Sequence, residues 1–284
     1  MKTEILSLLR EANDYVSGQE LCERFGVSRT AVWKAINQLK EAGYTIEAVQ
    51  NKGYRLLSVP DILNERELQS IRKTKWIGEK IAFYEVVDST NTRAKQLAEE
   101  GAPNGTYVIA EQQDAGKGRR GRGFDSPSGQ GIWMSLVLKP EIDPNHASGI
   151  TLVAALAVAK AITELTGKQA GIKWPNDIIM SGKKVCGILT EMSAQFDYVN
   201  HIVVGIGINV QNKSFPKEIE QVATSLFLET KQHFNRASLV EKIWENFEYY
   251  YGIFLETEDL TNLVNEYNAS LVNMHQAVKV LDPK

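Results

Sequence analysis

Apolar residues at helical spacing dominate the first 43 positions of the chain. Ser17 stands three residues before Glu20, the spacing of a capping box that opens a helix, and Gly43 is a typical helix end. Three helices and the two strands of a β-hairpin are predicted, in order, at residues 3–12, 18–25, 29–42, 44–49 and 54–57. This order predicts a winged helix-turn-helix at residues 1–58.

Beyond a predicted linker at residues 59–66, the pattern changes to short apolar strands. The strands are predicted at residues 81–87, 106–111, 132–139, 170–174, 177–180, 185–193 and 201–210, and the main helices at 92–100, 151–165, 238–256 and 259–270. Most of these strands follow one another as hairpins. The spacing therefore favours an α+β domain at residues 67–272, with helices on one face of the sheet, over a doubly wound fold.

Amino-acid composition limits the cellular compartment and the binding partners that can be expected for the protein. The net charge of −3 gives no general attraction to nucleic acid or to membranes. Cys22 and Cys186 lack the spacing of metal ligands, and four scattered histidines form no metal or nucleophile pattern, so we predict reduced thiols, a cytoplasmic protein and no protein-bound metal site. The most apolar helix, at 152–165, is too short to span a bilayer.

The third helix and the hairpin carry the candidate DNA contacts. We expect these contacts from Ser28, Arg29, Thr30, Trp33 and Lys34 on the helix and from Lys52 and Arg55 on the wing. Residues 1–58 hold eight Lys and Arg against seven Asp and Glu, so the domain is nearly neutral. Near-neutrality implies weak non-specific binding, and useful affinity would then need a dimer on a palindromic site. A helical dimerisation or docking module is the alternative.

Residues 114–123, DAGKGRRGRG, form the strongest chemical signal in the chain. Four cations and four glycines in ten residues suggest an anion site, because glycine lets the backbone approach a ligand and clustered cations bind phosphate or carboxylate oxygens. Gly116, Gly118 and Gly121 satisfy G-x-G-x-x-G, but no helix is predicted to open there, and the Lys-Ser/Thr of a P-loop is missing. A solvated basic loop is the alternative.

Three further blocks accompany this segment. They are Asp88–Asn91 (DSTN), Lys173–Asp177 (KWPND) with the following GKKVCGILTE, and Gly205–Asn209 (GIGIN). In this order the four blocks resemble the biotin protein ligases. With the N-terminal helices, the chain resembles the bacterial bifunctional type that also represses the biotin operon, over residues 1 to 284.

The resemblance implies a fold and a reaction. The fold is a mixed or antiparallel sheet like that of class II aminoacyl-tRNA synthetases, followed in the family by an SH3-like barrel, of which residues 273–284 would be a stub. The reaction consumes ATP with Mg²⁺, forms biotinyl-5′-AMP, and transfers biotin to a lysine of the biotin carboxyl carrier protein of acetyl-CoA or pyruvate carboxylase. The ligand-loaded homodimer binds operator DNA.

The resemblance also implies roles for individual residues. Arg119, Lys184 and Asp177 match the catalytic positions: the first two hold carboxylate and phosphate, and Asp177 positions the attacking amine. The biotin contacts implied are Ser89, Thr90, Asn91, Gln113, Gly116, Lys117, Arg119, Lys184 and Gly187. The nucleotide contacts implied are Arg119, Arg122, Phe124, Lys173, Trp174, Asn176, Lys184 and Asn209, with Phe124 stacking on adenine.

Simpler interpretations remain for several of these residues. Ser89 and Thr90 could cap a helix beginning at Thr92, Asp177 could pair with a lysine, and Asn209 could form a strand-end turn. Two other functions also remain: a lipoate or octanoate ligase of the same fold, and a ligand-sensing transcription factor without ligase activity.

Overall fold

A computed structural model describes residues 1–274, 276 and 277 of the chain. The chain divides into two compact units, Met1–Arg72 and a larger unit that begins at Lys73. His275 and most of the stub predicted at 273–284 lie outside the described residues.

The first unit is a winged helix-turn-helix, as the sequence predicted. Its elements are α1 (Lys2–Glu11), α2 (Gly18–Phe25), α3 (Arg29–Glu41), β1 (Thr45–Val49), β2 (Gly53–Ser58) and α4 (Glu65–Ile71). The Ser17 and Ser28 hydroxyls accept from the amides of Glu20 and Ala31, and α2 ends at Gly26 with φ of 62°. Leucines and isoleucines from α1, α2 and α3 fill one core.

Helix α4 belongs to this first unit and packs on α1. The Glu67 side chain is 1% exposed, and its carboxylate accepts from Arg10 Nη2 at 2.5 Å and from the Tyr44 hydroxyl at 2.6 Å. Burial and this hydrogen bond raise the pKa of Tyr44. The first unit therefore runs to Arg72, past the predicted linker at 59–66 and the predicted domain start at 67, because a buried anion ties α4 to the helix-turn-helix.

The second unit is built on one seven-stranded sheet. Its elements are β3 (Ile81–Val87), α5 (Thr90–Glu99), β4 (Tyr107–Gln113), β5 (Gly131–Leu138), α6 (Gly149–Thr166), β6 (Gly171–Lys173), β7 (Asp177–Met180), β8 (Lys183–Ala194), β9 (Val199–Asn209), α7 (Leu226–Thr230), α8 (Arg236–Thr257) and α9 (Val264–Ser270). The strand order is β3-β4-β5-β9-β8-β7-β6. Only the β3–β4 pair is parallel, which confirms the predicted mixed sheet.

Helices cover both faces of this sheet, whereas the sequence predicted helices on one face. Residues that pair directly across neighbouring strands point to the same face of the sheet. Leu136 and Thr190 both pair with Val204 of β9, so they share one face. The Thr190 hydroxyl bonds Thr151 of α6, so α6 and its neighbour α8 cover that face. Ser135 points to the opposite face and bonds Asn91 of α5. The parallel pair β3–β4 requires a crossover, and α5 is that crossover.

Helix α6 is the most apolar helix of the described chain. With the turn before it, residues 144–166 are long and apolar enough to meet the composition test for a membrane span. Its alanines, valines and isoleucines are buried, and the helix packs against α8 and the sheet. The apolar composition of α6 therefore matches its place in the core of the second unit.

Strand β8 extends well beyond its neighbour β7. The two strands pair from Met180 opposite Lys183 to Asp177 opposite Gly187, and the amide of Ile188 then donates to the Asn176 carbonyl. From Leu189 onward, no strand of the described chain pairs with the outer edge of β8. Apolar side chains on β8 or close to it are exposed: Met192 on the strand is 47% exposed, Trp174 is 62% exposed, and Phe196, in the turn that follows β8, is fully exposed.

Candidate active site and DNA-binding surface

One cavity lies on the α5 face of the sheet, above the middle of β8 and β9. Its walls are the N-terminal end of α5, the Gly/Arg segment 114–123 and the two strands. The cavity brings together ten residues that the sequence predicted for the site: Ser89, Thr90, Asn91, Gln113, Lys117, Arg119, Phe124, Asn176, Lys184 and Gly187. Residues almost one hundred positions apart therefore meet in one place.

The polar end of the cavity is the start of α5. The helix begins at Thr90, two residues earlier than predicted, and Ser89 is its N-cap residue without a side-chain capping bond. The Thr90 amide donates to Gln113 Oε1 at 2.8 Å. Capping therefore does not occupy the Ser89 hydroxyl, and Gln113 joins the end of β4 to this helix start.

Gln113 also connects to the residues that directly follow the Gly/Arg segment. Its Nε2 donates to Ser126 Oγ at 2.8 Å, and Ser126 donates to the Phe124 carbonyl at 2.9 Å. The segment folds back so closely that a Cβ atom on Gly116 would lie 2.3 Å from that carbonyl. Gly116 is therefore required by the chain's own path, and it does not line the cavity.

The cations of the Gly/Arg segment point in different directions. Arg119 Nη1 donates to Asn176 Oδ1 at 2.8 Å, and Lys117 Nζ donates to Thr92 Oγ1 at 2.9 Å. Arg122 is exposed and does not line the cavity. Among the described residues, no carboxylate lies within ion-pair distance of Lys117, Arg119, Arg120 or Arg122. The segment thus holds uncompensated positive charge beside the cavity.

Lys184 lines the cavity and forms an ion pair with Asp177, which does not itself line the cavity. Lys184 Nζ lies 2.7 Å from Asp177 Oδ1, and about a third of each side chain is exposed. The simple prediction that Asp177 pairs with a lysine is thus met by Lys184. Behind them, burial raises the pKa of Cys186, so this thiol stays protonated and is no nucleophile.

Phe124 lies on the floor of the cavity. A Cβ atom on Gly207 would come within 2.9 Å of its ring and one on Gly187 within 3.2 Å, so the ring packs on two glycines. The ring also meets Trp133 edge-on, with the centroids 5.8 Å apart. The predicted stacking of Phe124 on adenine would require the ring to leave this floor, and stacking stays a prediction.

The other predicted nucleotide contacts are spread more widely. Asn176 bonds both Arg119 and the Ile188 carbonyl. Trp174 is exposed beside a second groove that also reaches Arg119, and Lys173 is exposed next to it. Asn209 is buried at the end of β9, where its Nδ2 donates to the Thr224 carbonyl, and it does not line the cavity. The structure thus brings Asn176, but not Asn209, to the cavity.

Several residues in or next to the cavity were assigned no role from the sequence. Gly205 and Gly207 alternate along β9, and a Cβ atom on Gly205 would lie 2.0 Å from Asn91 Oδ1. Alternating glycines in a central strand are a signal of close approach that could have identified them. Ser135 and Glu191 contact Asn91 from neighbouring strands. Nothing in their local sequence distinguishes these two residues.

The predicted DNA-contacting residues lie on the outside of the first unit. Trp33 on α3 is 59% exposed, and Thr30 and Lys34 are exposed beside it. Arg29 donates to Gln19 Oε1 at 3.1 Å, and both residues line a groove with Lys52 of the wing. Lys52 and Arg55 lie 5.5 and 6.0 Å from the Tyr15 ring centre. Helix and wing therefore present cations and one large aromatic side chain to solvent.

Family models match both units. The model of the Biotin/lipoate A/B protein ligase family matches residues 83–209, and a helix-turn-helix domain model matches residues 2–55. The bifunctional ligase/repressor BirA of Bacillus subtilis is 43% identical over 258 residues, which cover 90% of this chain and 79% of the relative. The chain belongs to the bifunctional ligase/repressor family.

Other members of this family and a solved structure agree with the match. BirA of Escherichia coli is 33% identical over 73% of this chain and 63% of its own length. A biotin protein ligase from Aquifex aeolicus, solved in complex with biotin and ATP, superposes with a TM-score of 0.60 at 29% identity, over 68% of this chain and 79% of that one. The predicted relationship to the bifunctional biotin ligases is thereby confirmed.

Proposed function

We propose that this chain activates biotin with ATP, transfers it to a lysine of a biotin carboxyl carrier protein, and represses transcription when loaded with the adenylate. The observation that carries the proposal is the polarity of the cavity. Asn91 lies over Gly205 of β9. Lys184 lies beside Gly187 of β8, which pairs with Gly207, two residues after Gly205 on β9, so the two polar side chains stand at different positions along the cavity. An uncharged polar head group at α5 and a carboxylate tail near Lys184 match this arrangement.

The first step joins two anions. An oxygen of the biotin carboxylate attacks the α-phosphorus of ATP, pyrophosphate leaves, and biotinyl-5′-AMP remains. Lys184 and Arg119 are proposed to supply positive charge where the carboxylate and the phosphate meet. Preorganised positive charge of this kind is the main source of transition-state stabilisation in phosphoryl transfer. The ion pair with Asp177 holds the Lys184 ammonium at the cavity wall.

The second step forms an amide. The amine of the carrier lysine attacks the acyl carbon of the mixed anhydride, AMP leaves, and the amine loses a proton. Asp177 is proposed to orient this amine and to accept the proton, because its carboxylate lies within 2.7 Å of Lys184, whose side chain lines the cavity.

Mg²⁺ is proposed to enter with the nucleotide. The described residues hold no cluster of three His, Cys, Asp or Glu side chains, and Mg²⁺ commonly takes most of its ligands from phosphates and water, with one or two carboxylates. When bound, the ion would neutralise phosphate charge; a cytoplasmic location, which supplies Mg²⁺ and ATP, is part of the same proposal and fits the free thiols Cys22 and Cys186.

The exposed edge of β8 is proposed as the shared surface for the carrier protein and for a second copy of the chain. An unpaired strand edge can add a strand from another protein. Trp174 and Met192 line one groove beside this strand, Phe196 lies in the turn that follows it, and all three supply exposed apolar area. Loading with the adenylate would order the Gly/Arg segment near it and favour the dimer, which can present two helix-turn-helix units to a palindrome.

Pyrophosphate exchange tests the ligase activity. Labelled pyrophosphate should enter ATP when biotin is present and should not do so when lipoate replaces it, because only the adenylation of a bound acid is reversible in this way. Exchange with lipoate alone would instead identify a lipoate or octanoate ligase. No exchange with either acid, from protein that binds biotin in a calorimeter, would leave a ligand-sensing transcription factor.

The repressor activity is tested by Phe196→Glu. Sedimentation should show that the wild-type chain forms dimers in the presence of biotin and ATP. The affinity of this loaded chain for the palindromic operator should be at least roughly tenfold above that of the unloaded chain. Phe196→Glu should reduce both effects and leave pyrophosphate exchange unchanged, because it places charge at the strand edge outside the cavity. Tyr249→Glu, a change at another exposed aromatic residue, is the control. An operator affinity that is the same with and without biotin and ATP would refute the repressor proposal.

A further inference from the structure

A chain of hydrogen bonds runs from a carboxylate to the polar end of the cavity. Asn91 Nδ2 donates to Glu191 Oε2 at 2.8 Å and to the Leu189 carbonyl at 3.2 Å. On its other side, Asn91 Oδ1 lies 2.6 Å from Ser135 Oγ, and Ser135 Oγ lies 2.8 Å from Thr90 Oγ1. The three residues between the carboxylate and the cavity, Asn91, Ser135 and Thr90, are almost fully buried.

Glu191 decides the orientation of the Asn91 amide. A carboxylate and a backbone carbonyl can only accept, so the Asn91 nitrogen must face Glu191 and Leu189. The Asn91 oxygen must then face Ser135, and a hydroxyl 2.6 Å from an amide oxygen must donate to it. The single hydrogen of Ser135 is therefore committed to Asn91.

The same logic fixes the hydrogen of Thr90. Since Ser135 has no second hydrogen, its oxygen can only accept from the Thr90 hydroxyl at 2.8 Å. The one other protein acceptor near that hydroxyl among the described residues is Gln113 Oε1, at 3.1 Å. A Thr90 hydrogen turned to the cavity would leave the Ser135 and Thr90 oxygens 2.8 Å apart with no hydrogen between them, so this hydrogen points to the protein. The Thr90 oxygen therefore offers only lone pairs to the cavity, and it can bind only a group that donates.

The charge on Glu191 makes this direction stable. Partial burial alone would raise the pKa of Glu191, but hydrogen bonds from Lys95 and Asn91 outweigh it and lower the pKa below its usual value. The carboxylate therefore stays ionised near neutral pH and cannot donate to Asn91. A neutral amide at this position could rotate and donate, which would let the whole chain of hydrogen bonds reverse.

We propose that Glu191 is a positioning residue that acts through Asn91 and Ser135 to make the Thr90 hydroxyl an obligate acceptor, so that the cavity selects a ligand carrying an N–H group. This inference rests on the proposed function and deepens it, because the cyclic urea of biotin has two N–H groups and the dithiolane of lipoate has none. Glu191 does not need to touch the ligand for this selection.

The alternative hypothesis is that Glu191 has a purely structural role and only anchors α5 through its ion pair with Lys95. Two variants distinguish the positioning role from the structural role. Glu191→Gln keeps the shape and loses the fixed acceptor, whereas Lys95→Gln breaks the ion pair and leaves the carboxylate on Asn91. Ser135→Ala is a second probe, because it removes the middle of the hydrogen-bond chain and depends on no charge.

The experiment is calorimetric titration of the full chain and these three variants with biotin and with its two cyclic carbamate analogues. Each analogue has oxygen in place of one N–H. The wild type should bind biotin roughly 100-fold more tightly than at least one analogue, since a lone pair of Thr90 would face an oxygen. Glu191→Gln and Ser135→Ala should each shrink this ratio about tenfold, and Lys95→Gln should leave it within about threefold.

Nonadditivity gives a further readout. The double variant Glu191→Gln with Ser135→Ala should shrink the ratio no more than either single change, because both break the same chain of hydrogen bonds. An unchanged ratio in Glu191→Gln, or an equal loss in Lys95→Gln, would overturn the positioning role while biotin binding by the wild type still supports the proposed function. A wild type that binds no biotin would overturn both.

Discussion

Lys184→Gln is expected to lower the rate of biotin-dependent pyrophosphate exchange by roughly 100- to 1,000-fold, the usual cost of removing one preorganised group that stabilises developing charge. The ammonium lies 2.7 Å from Asp177 at the wall of the cavity. Its removal leaves the carboxylate of Asp177 beside two anionic reactants. Initial exchange rates at saturating biotin and ATP give the measurement, and calorimetry with biotin alone shows whether the ligand still binds.

The adjacent lysine provides a matched control. Lys183 Nζ donates to the Glu220 carbonyl at 2.9 Å, and its side chain does not line the cavity. Lys183→Gln removes the same charge one residue away and should change the exchange rate by less than about threefold, since an exposed charge acts weakly across water. Equal losses in the two variants would mean that the net charge of the region matters and that Lys184 has no special position.

Gly205→Ala is expected to weaken biotin binding by roughly 100-fold. The added Cβ atom would lie 2.0 Å from Asn91 Oδ1, and Asn91 is held on its other side by Glu191 and the Leu189 carbonyl. Asn91 must therefore move, and Ser135, which also contacts Thr90, loses its hydrogen bond to Asn91. Overpacking of this kind costs about 1–3 kcal/mol, and a tenfold change in affinity corresponds to about 1.4 kcal/mol.

Gly252→Ala supplies the comparison for this substitution. Gly252 lies in α8, and a Cβ atom there would meet nothing within 4 Å. The change should leave biotin affinity intact and should stabilise the helix slightly, since alanine favours helices over glycine by about 1 kcal/mol. Calorimetry and thermal unfolding should be run on both variants. A Gly205→Ala protein that binds biotin as tightly as Gly252→Ala would show that Asn91 has no part in the site.

Local patterns were sufficient to predict the winged helix and the strands, whereas most of the cavity residues were predicted from the resemblance of four sequence blocks to the biotin protein ligases. Capping serines, alternating apolar strands and glycine-rich turns act over a few residues, so their signals are readable in the sequence. The Gly/Arg segment was likewise conspicuous, because four cations among glycines have no role in a core. This composition predicts an anion site that includes Arg119, whereas the role of Lys184 was predicted only from the resemblance to the biotin protein ligases.

Long-range partners could not be predicted in this way. Ser135 meets Asn91 only because β5 and α5 are brought together by the crossover, and Glu191 reaches it from β8. The placement of Phe124 depends on two glycines in separate strands, and α5 covers the second face because β3 and β4 are parallel. Each of these contacts depends on the register of the sheet, which a single sequence does not reveal.

The buried carboxylate of Glu67 has a consequence for dissecting the chain. A DNA-binding fragment ending at residue 58 or 66 would lack this anion, and Arg10 and Tyr44 would lose the partner that now lies 2.5 and 2.6 Å from them. Losing these two hydrogen bonds together with the packing of α4 on α1 would destabilise the fragment. A fragment that is to fold alone must therefore extend to Arg72, and a separate catalytic fragment begins at Lys73.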